Sequence, residues 1–190
     1  MNWDLPYSVT IDGQDFAIEN NCDYRVVLDC LSVYEDTDID VTTQHKTALF
    51  IFYKEPWKIT NTEEAVRQMI RVIDCESEDI IPMQPTPNTQ PPERLMSWGT
   101  DFKFIAPAVS RILGYDVRTP EKFTHWWSLM GAYMEIGECA WQTILSIRRK
   151  KMHGEKLESW EQKLYAENKK DIDLPQNLTD EEKEWLNSDW

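Results

Sequence analysis

The tripeptide His125-Trp126-Trp127 constrains the fold of this chain more than any other feature of its sequence. The apolar pattern around it predicts a helix, and adjacent side chains on a helix point about 100° apart. A helix that carries both indole rings must therefore present a wide apolar face or contact two neighbouring elements at once. We predict that the segment from Trp98 to Arg148 forms the densely packed helical centre of the molecule.

The composition predicts a folded protein, because 41% of the 190 residues are hydrophobic and nine of them are tryptophan. This length suffices for one core or for two small ones. The first residues lack the basic start and apolar run of a secretory signal, and no stretch approaches the roughly 18 apolar residues of a membrane span. The four cysteines form no CxxC pair, so free and mostly buried thiols are the preferred interpretation. These features favour a soluble intracellular protein that does not contact a membrane.

The net charge of −14 is concentrated at the two ends of the chain. Residues 1–76 contain 15 acidic and six basic residues, and residues 153–190 contain 11 acidic and five basic residues. Nucleic acid repels such a chain, so a polyanion could bind only the basic run 148–151. The preferred interpretation of that run is that its cations lie at a helix C-terminus, where the helix dipole favours them. A basic polypeptide partner fits the overall charge better.

The pattern of the first 76 residues predicts a β-hairpin followed by three helices. Asp12-Gly13 separates two runs in which apolar and polar residues alternate, and this dipeptide favours a tight hairpin turn. Helical spacing of apolar residues then predicts helices over residues 24–34, 43–53 and 62–75.

Five prolines between Ile80 and Pro92 predict a linker, because extended and solvated backbone cannot supply a core. We therefore predict a mainly α fold with a small N-terminal β-hairpin and two small modules. The modules are residues 1–76, with the hairpin and helices, and residues 101–190, a helical module with amphipathic tail helices, joined by the linker 77–100.

Capping patterns predict the helices of the second module. Asp101 is expected to cap a helix that ends at Gly114, with Pro107 marking either a kink or a late start. Thr119 and Pro120 are expected to begin the helix that carries the two tryptophans. Further helices are predicted over residues 139–151, 157–169 and 179–190, with a break near Gly137.

The sequence contains no motif that indicates catalysis, nucleotide binding or a preformed metal site. The sequence has no GxGxxG, HExxH, CxxC or GxSxG motif. Asp36, Asp38 and Asp40 begin like a calcium loop, but Val41 and Thr47 stand where that loop needs Gly and Glu, so an acidic turn between helices is preferred. We interpret His125 as a capping or packing residue. The sequence therefore predicts no catalytic, cofactor-binding or metal-ligating residues, and a protein that is not an enzyme.

Several short motifs occur in a characteristic order along the second half of the chain. They are Trp98 and Asp101 ahead of a helix, Gly114-Tyr115-Asp116-Val117, His125-Trp126-Trp127, Ile144 with Ile147-Arg148, Lys163-Leu164-Tyr165 and Leu174-Pro175. Together they resemble the "gene product fifteen" family of tailed-phage proteins. The N-terminal hairpin and helices are similar to the front half of that family, so the resemblance spans nearly the whole chain.

The resemblance implies a tail assembly chaperone of a phage with a long, non-contractile tail. Such a protein would act in the host cytoplasm during phage assembly, bind the tape measure protein, keep it soluble and be absent from the mature virion. The major tail protein is a further candidate partner, and a homo-oligomer is expected, whereas nucleic acid and membrane are not expected as partners.

Two other hypotheses fit the same composition. One is a structural tail-completion or connector protein of the virion, and the other is a nucleic-acid-binding regulator that uses the basic run. For a chaperone, we predict partner contacts through large aromatic side chains on the helices. The candidates are Trp126, Trp127, Trp141, Trp160, Tyr165 and Trp185.

Overall fold

The fold, seen in a computed structural model that describes residues 4–76 and 94–174, is helical with one small β-hairpin. The hairpin consists of β1 (Ser8–Ile11) and β2 (Gln14–Ala17). The helices are α1 (Tyr24–Glu35), α2 (Val41–Phe52), α3 (Thr62–Ile73), α4 (Trp98–Leu113), α5 (Trp126–Met134), α6 (Ala140–Met152), α7 (Ser159–Glu167) and α8 (Lys169–Ile172). The prediction of a mainly α fold with an N-terminal hairpin is confirmed.

The hairpin turn adopts the backbone conformation that its sequence predicts. Asp12 and Gly13 both have positive φ angles, 49° and 80°, as a type I′ turn requires. This turn sets the antiparallel register that pairs Val9 with Phe16 and Ile11 with Gln14. Val9, Ile11 and Phe16 then face the interior, and β1 packs on α3.

Aspartate side chains cap the first two helices. Asp23 accepts a hydrogen bond from the backbone N–H of Arg25 at the start of α1. Asp40 accepts from the backbone N–H groups of Thr42 and Thr43, at 3.0 and 3.1 Å, at the start of α2. Helix α2 therefore begins at Val41, two residues before the predicted start, and the acidic segment before it forms an interhelix turn.

The prediction that Asp101 caps α4 is wrong. Ser97 is the N-cap, and α4 begins at Trp98, inside the segment predicted as linker. Asp101 lies in the first turn with its side chain fully buried, and one of its oxygens accepts from the backbone N–H of Ser97. Pro107 lies inside the helix, which ends at Gly114 in the left-handed conformation, as predicted.

The prediction that Thr119 and Pro120 begin the next helix is also wrong. These residues form a turn, and α5 begins at Trp126, with His125 as its N-cap. The physical reason is a set of tertiary hydrogen bonds from Arg25, whose guanidinium donates to the backbone carbonyls of Val117, Thr119 and Lys122. These contacts fix the segment before α5 against the start of α1.

The C-terminal helices follow the predicted pattern in part. The helical structure is interrupted between α5 and α6, where Gly137 has a φ of 58°, as predicted. The helix predicted over 157–169 is instead α7 followed by the single turn α8, because the helix ends at Asn168. The helix predicted over 179–190 lies outside the described residues.

Helices from both predicted modules contribute to the core. Helix α1 packs against α4 and α5, and its start is joined to the start of α5 by backbone hydrogen bonds between Tyr24 and Thr124 and between Trp126 and Cys22. The division into two modules stays a prediction, and these contacts show that residues of both lie against each other.

Candidate partner-binding groove

The two adjacent tryptophans both contact the C-terminal end of α3. The indole N–H of Trp126 donates to the carbonyl oxygen of Ile73 at 2.7 Å, and that of Trp127 donates to Val72 at 2.8 Å. The last carbonyls of a helix have no partner within the helix, so the two indoles cap α3. Trp126 also packs edge-to-face against Trp98 of α4. The predicted role of this tripeptide as a packing centre is confirmed.

His125 is a buried capping residue. Its Nδ1 accepts from the backbone N–H of Trp127 at 3.0 Å, and its Nε2 lies 3.1 Å from the carbonyl oxygen of Pro6. Only a neutral imidazole with its proton on Nε2 satisfies both contacts, because a protonated ring has no acceptor. Burial lowers the pKa of His125, and the Pro6 carbonyl and Asp23 oppose that shift.

We expect the unfolding free energy to decrease as the pH falls below about 6.5, the pKa of His125 in the unfolded chain. The pKa of His125 is lower in the folded protein, so the unfolded chain takes up a proton first as the pH falls. The stability that the neutral ring contributes is therefore fully present above the unfolded pKa and is lost below it. Urea midpoints between about pH 5.5 and 7.5 measure this. In His125→Asn, which keeps a capping oxygen, the decrease over this range should be smaller. Equal pH dependence in both proteins would contradict the assignment.

A buried ion pair joins α4 to α6, and the arginine of this pair also contacts α8. The guanidinium of Arg148 donates to both carboxylate oxygens of Asp101, at 2.7 and 2.8 Å. It also donates to the backbone carbonyls of Leu95 and Ile172. These contacts neutralise the buried carboxylate of Asp101 and bind the backbone carbonyl of Ile172 in α8, so Arg148 holds the C-terminal turn on the core.

Two further residues of the basic run are paired within the chain. Lys150 forms an ion pair with Glu161 of α7, and Lys151 forms one with Asp173. Together with Arg148, they attach the arm, which we define as residues 155–174 with α7 and α8, to α6. The charge of these three cations is thereby offset by carboxylates of the same chain.

A groove of about 320 Å³ lies between the arm and helices α4 and α6. It is lined by Phe104, Ala140, Thr143, Ile144, Trp160, Leu164, Asn168, Asp171 and Ile172. Trp160 remains 55% exposed, and its indole N–H donates to a carboxylate oxygen of Glu158 at 2.7 Å. Apart from Asp171, which pairs with Lys103, the lining is uncharged and mostly apolar.

The predicted partner-binding residues are distributed between the core, the groove and undescribed sequence. Trp126 and Trp141 are 2% and 0% exposed, so a partner could contact them only if the fold opened. Trp127 and Tyr165 are partly buried, and Trp160 lines the groove. Trp185 lies outside the described residues. Partner binding by these side chains stays a prediction, and Trp160 is the member best placed for it.

Two other aromatic side chains, outside the predicted partner-binding residues, are strongly exposed. Phe50 on α2 and Trp57 in the turn after it are 67% and 69% exposed. Neither was among the predicted partner-binding residues, because no pattern in the sequence distinguishes an exposed aromatic side chain from a buried one at these positions. They provide matched controls for the groove because they are as exposed as Trp160.

Over residues 4–76 and 94–174, no three His, Cys, Asp or Glu side chains are grouped closely enough to hold a metal ion. In those same ranges, no helix is sufficiently long and apolar to span a membrane.

Comparison with known families identifies this chain as a bacteriophage protein. The family model described as Bacteriophage Gp15 protein matches residues 1–174, and the chain therefore belongs to that family. The matched range includes the tryptophan pair, the Asp101–Arg148 ion pair and the groove. No curated protein and no solved structure matches the chain.

Proposed function

We propose that this chain is a tail assembly chaperone that binds the phage tape measure protein and keeps it soluble during tail assembly. Its membership of the Gp15 family supports a role in phage assembly. The observation that carries the binding role is the apolar groove with Trp160 exposed at its side, since exposed apolar surface of this kind marks interaction sites.

Binding, and not catalysis, is the activity that the buried polar groups favour. His125 caps α5, Arg148 and Asp101 neutralise each other, and Asp23 caps α1. Each of these groups has a structural partner, which supports a structural role for them in this proposal. The proposal accordingly includes no catalytic step and no cofactor.

The net charge of the chain supports a basic client. An acidic surface raises the rate of encounter with basic polypeptide segments and disfavours nucleic acid. Self-association into a homo-oligomer, action in the host cytoplasm and absence from the mature virion complete the proposal, with the major tail protein as a further candidate partner.

Coexpression with the tape measure protein of the same phage tests this function. We expect the soluble fraction of the tape measure protein to increase several-fold when this chain is present, because this chain would cover the exposed apolar faces of the tape measure protein. An unrelated acidic protein of similar size, expressed at the same level, is the control. If the tape measure protein stays equally insoluble with both, the chaperone proposal is wrong.

A further inference from the structure

We propose that the groove between the arm and helices α4 and α6 binds one face of an amphipathic helix whose polar face carries lysine or arginine. This inference rests on the proposed function, because it places the client on a particular surface. The groove, Trp160 and the charges around them carry it.

The shape of the groove fits side chains projecting from a helix. Its volume of about 320 Å³ is at the lower end of the range for small-ligand pockets, so it admits a few side chains but not a whole polypeptide segment. A helix laid along such a groove inserts apolar residues at positions i, i+3 or i+4, and i+7. Phe104, Ile144 and Leu164 provide apolar contacts for these residues.

Trp160 has the properties of an interface anchor. Tryptophan is enriched among residues that dominate binding energy, because its large ring loses little conformational freedom on binding. Here the ring is more than half exposed while the hydrogen bond from its indole N–H to Glu158 holds its orientation. A partner that covers this ring would bury apolar surface without reordering it.

The carboxylates beside the groove and the net charge of −14 favour a basic occupant. Glu158 contacts Trp160, and Glu167, seven residues after Trp160, lies on the same face of α7. The cation at the opposite wall, Lys103 over the Phe104 ring, is paired with Asp171. Lysine or arginine on the polar face of a client would lie near these carboxylates, whereas acidic residues there would be repelled.

The same argument disfavours occupants from the chain itself. Residues 175–190 contain five acidic residues and one basic residue, and a second copy of the chain carries a net charge of −14. Both would approach acidic groups with like charge, which costs free energy. A basic amphipathic helix from another protein has neither disadvantage.

Titration of the full-length chain with a labelled 18-residue helical peptide of leucine and lysine tests the site directly. The variants are Trp160→Ala, which removes the anchor, and Ala140→Trp, which fills the groove from an exposed position of α6. We expect each to raise the Kd about tenfold or more. Trp57→Ala, at a tryptophan of similar exposure away from the groove, should leave it unchanged.

The peptide composition tests the charge argument. A leucine and glutamate peptide of equal length should bind about tenfold more weakly, and added salt should weaken the lysine peptide. Circular dichroism of each variant checks that the fold is intact, which both exposed positions favour. Equal Kd values for the wild type and both groove variants would overturn the site.

Two further results would assign the groove to another occupant and so overturn the inference. Tighter peptide binding by Trp185→Ala would show that the C-terminal segment fills it. A change of oligomeric mass in Ala140→Trp, measured by sedimentation, would show that a second copy does.

Coexpression of the same variants with the tape measure protein separates the site from the function. If wild type and Ala140→Trp solubilise it equally, the chaperone proposal stands and the groove assignment is wrong. If wild type binds the lysine peptide in the groove but does not solubilise the tape measure protein, the groove binds helices and the chaperone proposal is wrong.

Discussion

Trp126→Ala is expected to lower the free energy of unfolding by about 3 to 5 kcal/mol. The ring is almost completely buried, so its removal leaves a large cavity between α5 and α4. It also leaves the carbonyl oxygen of Ile73 at the end of α3 without its indole donor. Urea denaturation followed by circular dichroism measures the change.

Trp127→Ala is the matched comparison, because its indole caps the neighbouring carbonyl of α3 but its ring is only partly buried. We expect a smaller loss, about 1 to 2 kcal/mol. Equal losses for the two variants, or a loss below about 1 kcal/mol for Trp126→Ala, would contradict the packing described here.

Arg148→Met is expected to destabilise the fold by about 3 to 5 kcal/mol, because it leaves the fully buried carboxylate of Asp101 unpaired. It also removes the donors to Leu95 and Ile172, so the arm should detach from the core before the rest of the protein unfolds. Urea denaturation measures the global effect, and hydrogen exchange of α8 measures the local one.

Two comparison variants test whether the unpaired carboxylate of Asp101 causes this loss of stability. Lys151→Met breaks a partly exposed ion pair and should cost at most about 1 kcal/mol. The double variant Asp101→Asn, Arg148→Met removes the unpaired charge and should be more stable than Arg148→Met alone. A double variant less stable than the single one would show that the buried carboxylate is not the main cost.

Local sequence was sufficient at turns and helix ends that require a positive φ angle. Asp12-Gly13 predicted the hairpin because its turn needs positive φ at both positions, and Gly114 predicted the end of α4 for the same reason. His125 was correctly interpreted as a capping or packing residue, although the helix begins at Trp126 and not at Thr119 and Pro120 as predicted.

The wrong predictions involve residues whose partners are distant in the sequence. Asp101 had the chemistry of a cap, but Arg148, 47 positions later, draws it into the core. Thr119 and Pro120 had the pattern of a helix start, but Arg25, more than 90 positions earlier, binds the carbonyls of that segment. No local pattern indicates such pairings, because they depend on how the helices pack.

The candidate groove was predictable only in part. The helix over residues 157–169 was predicted as one of the amphipathic tail helices, and Trp160 was among the predicted partner-binding residues. The opposite wall, with Phe104 and Ala140, comes from two helices whose relation to the arm depends on the paired cations of α6. The sequence contains these residues but does not show that they share one surface.

In the proposed function, this phage protein binds the tape measure protein before assembly and leaves before the tail is complete. The most direct test is mass spectrometry of one infection, comparing complexes purified through this chain from the lysate with finished virions. We predict that the tape measure protein is strongly enriched in the complexes and that this chain is absent from the virions. Stoichiometric amounts of the chain in the virions, without tape measure protein in the complexes, would contradict the chaperone function and favour a structural tail protein.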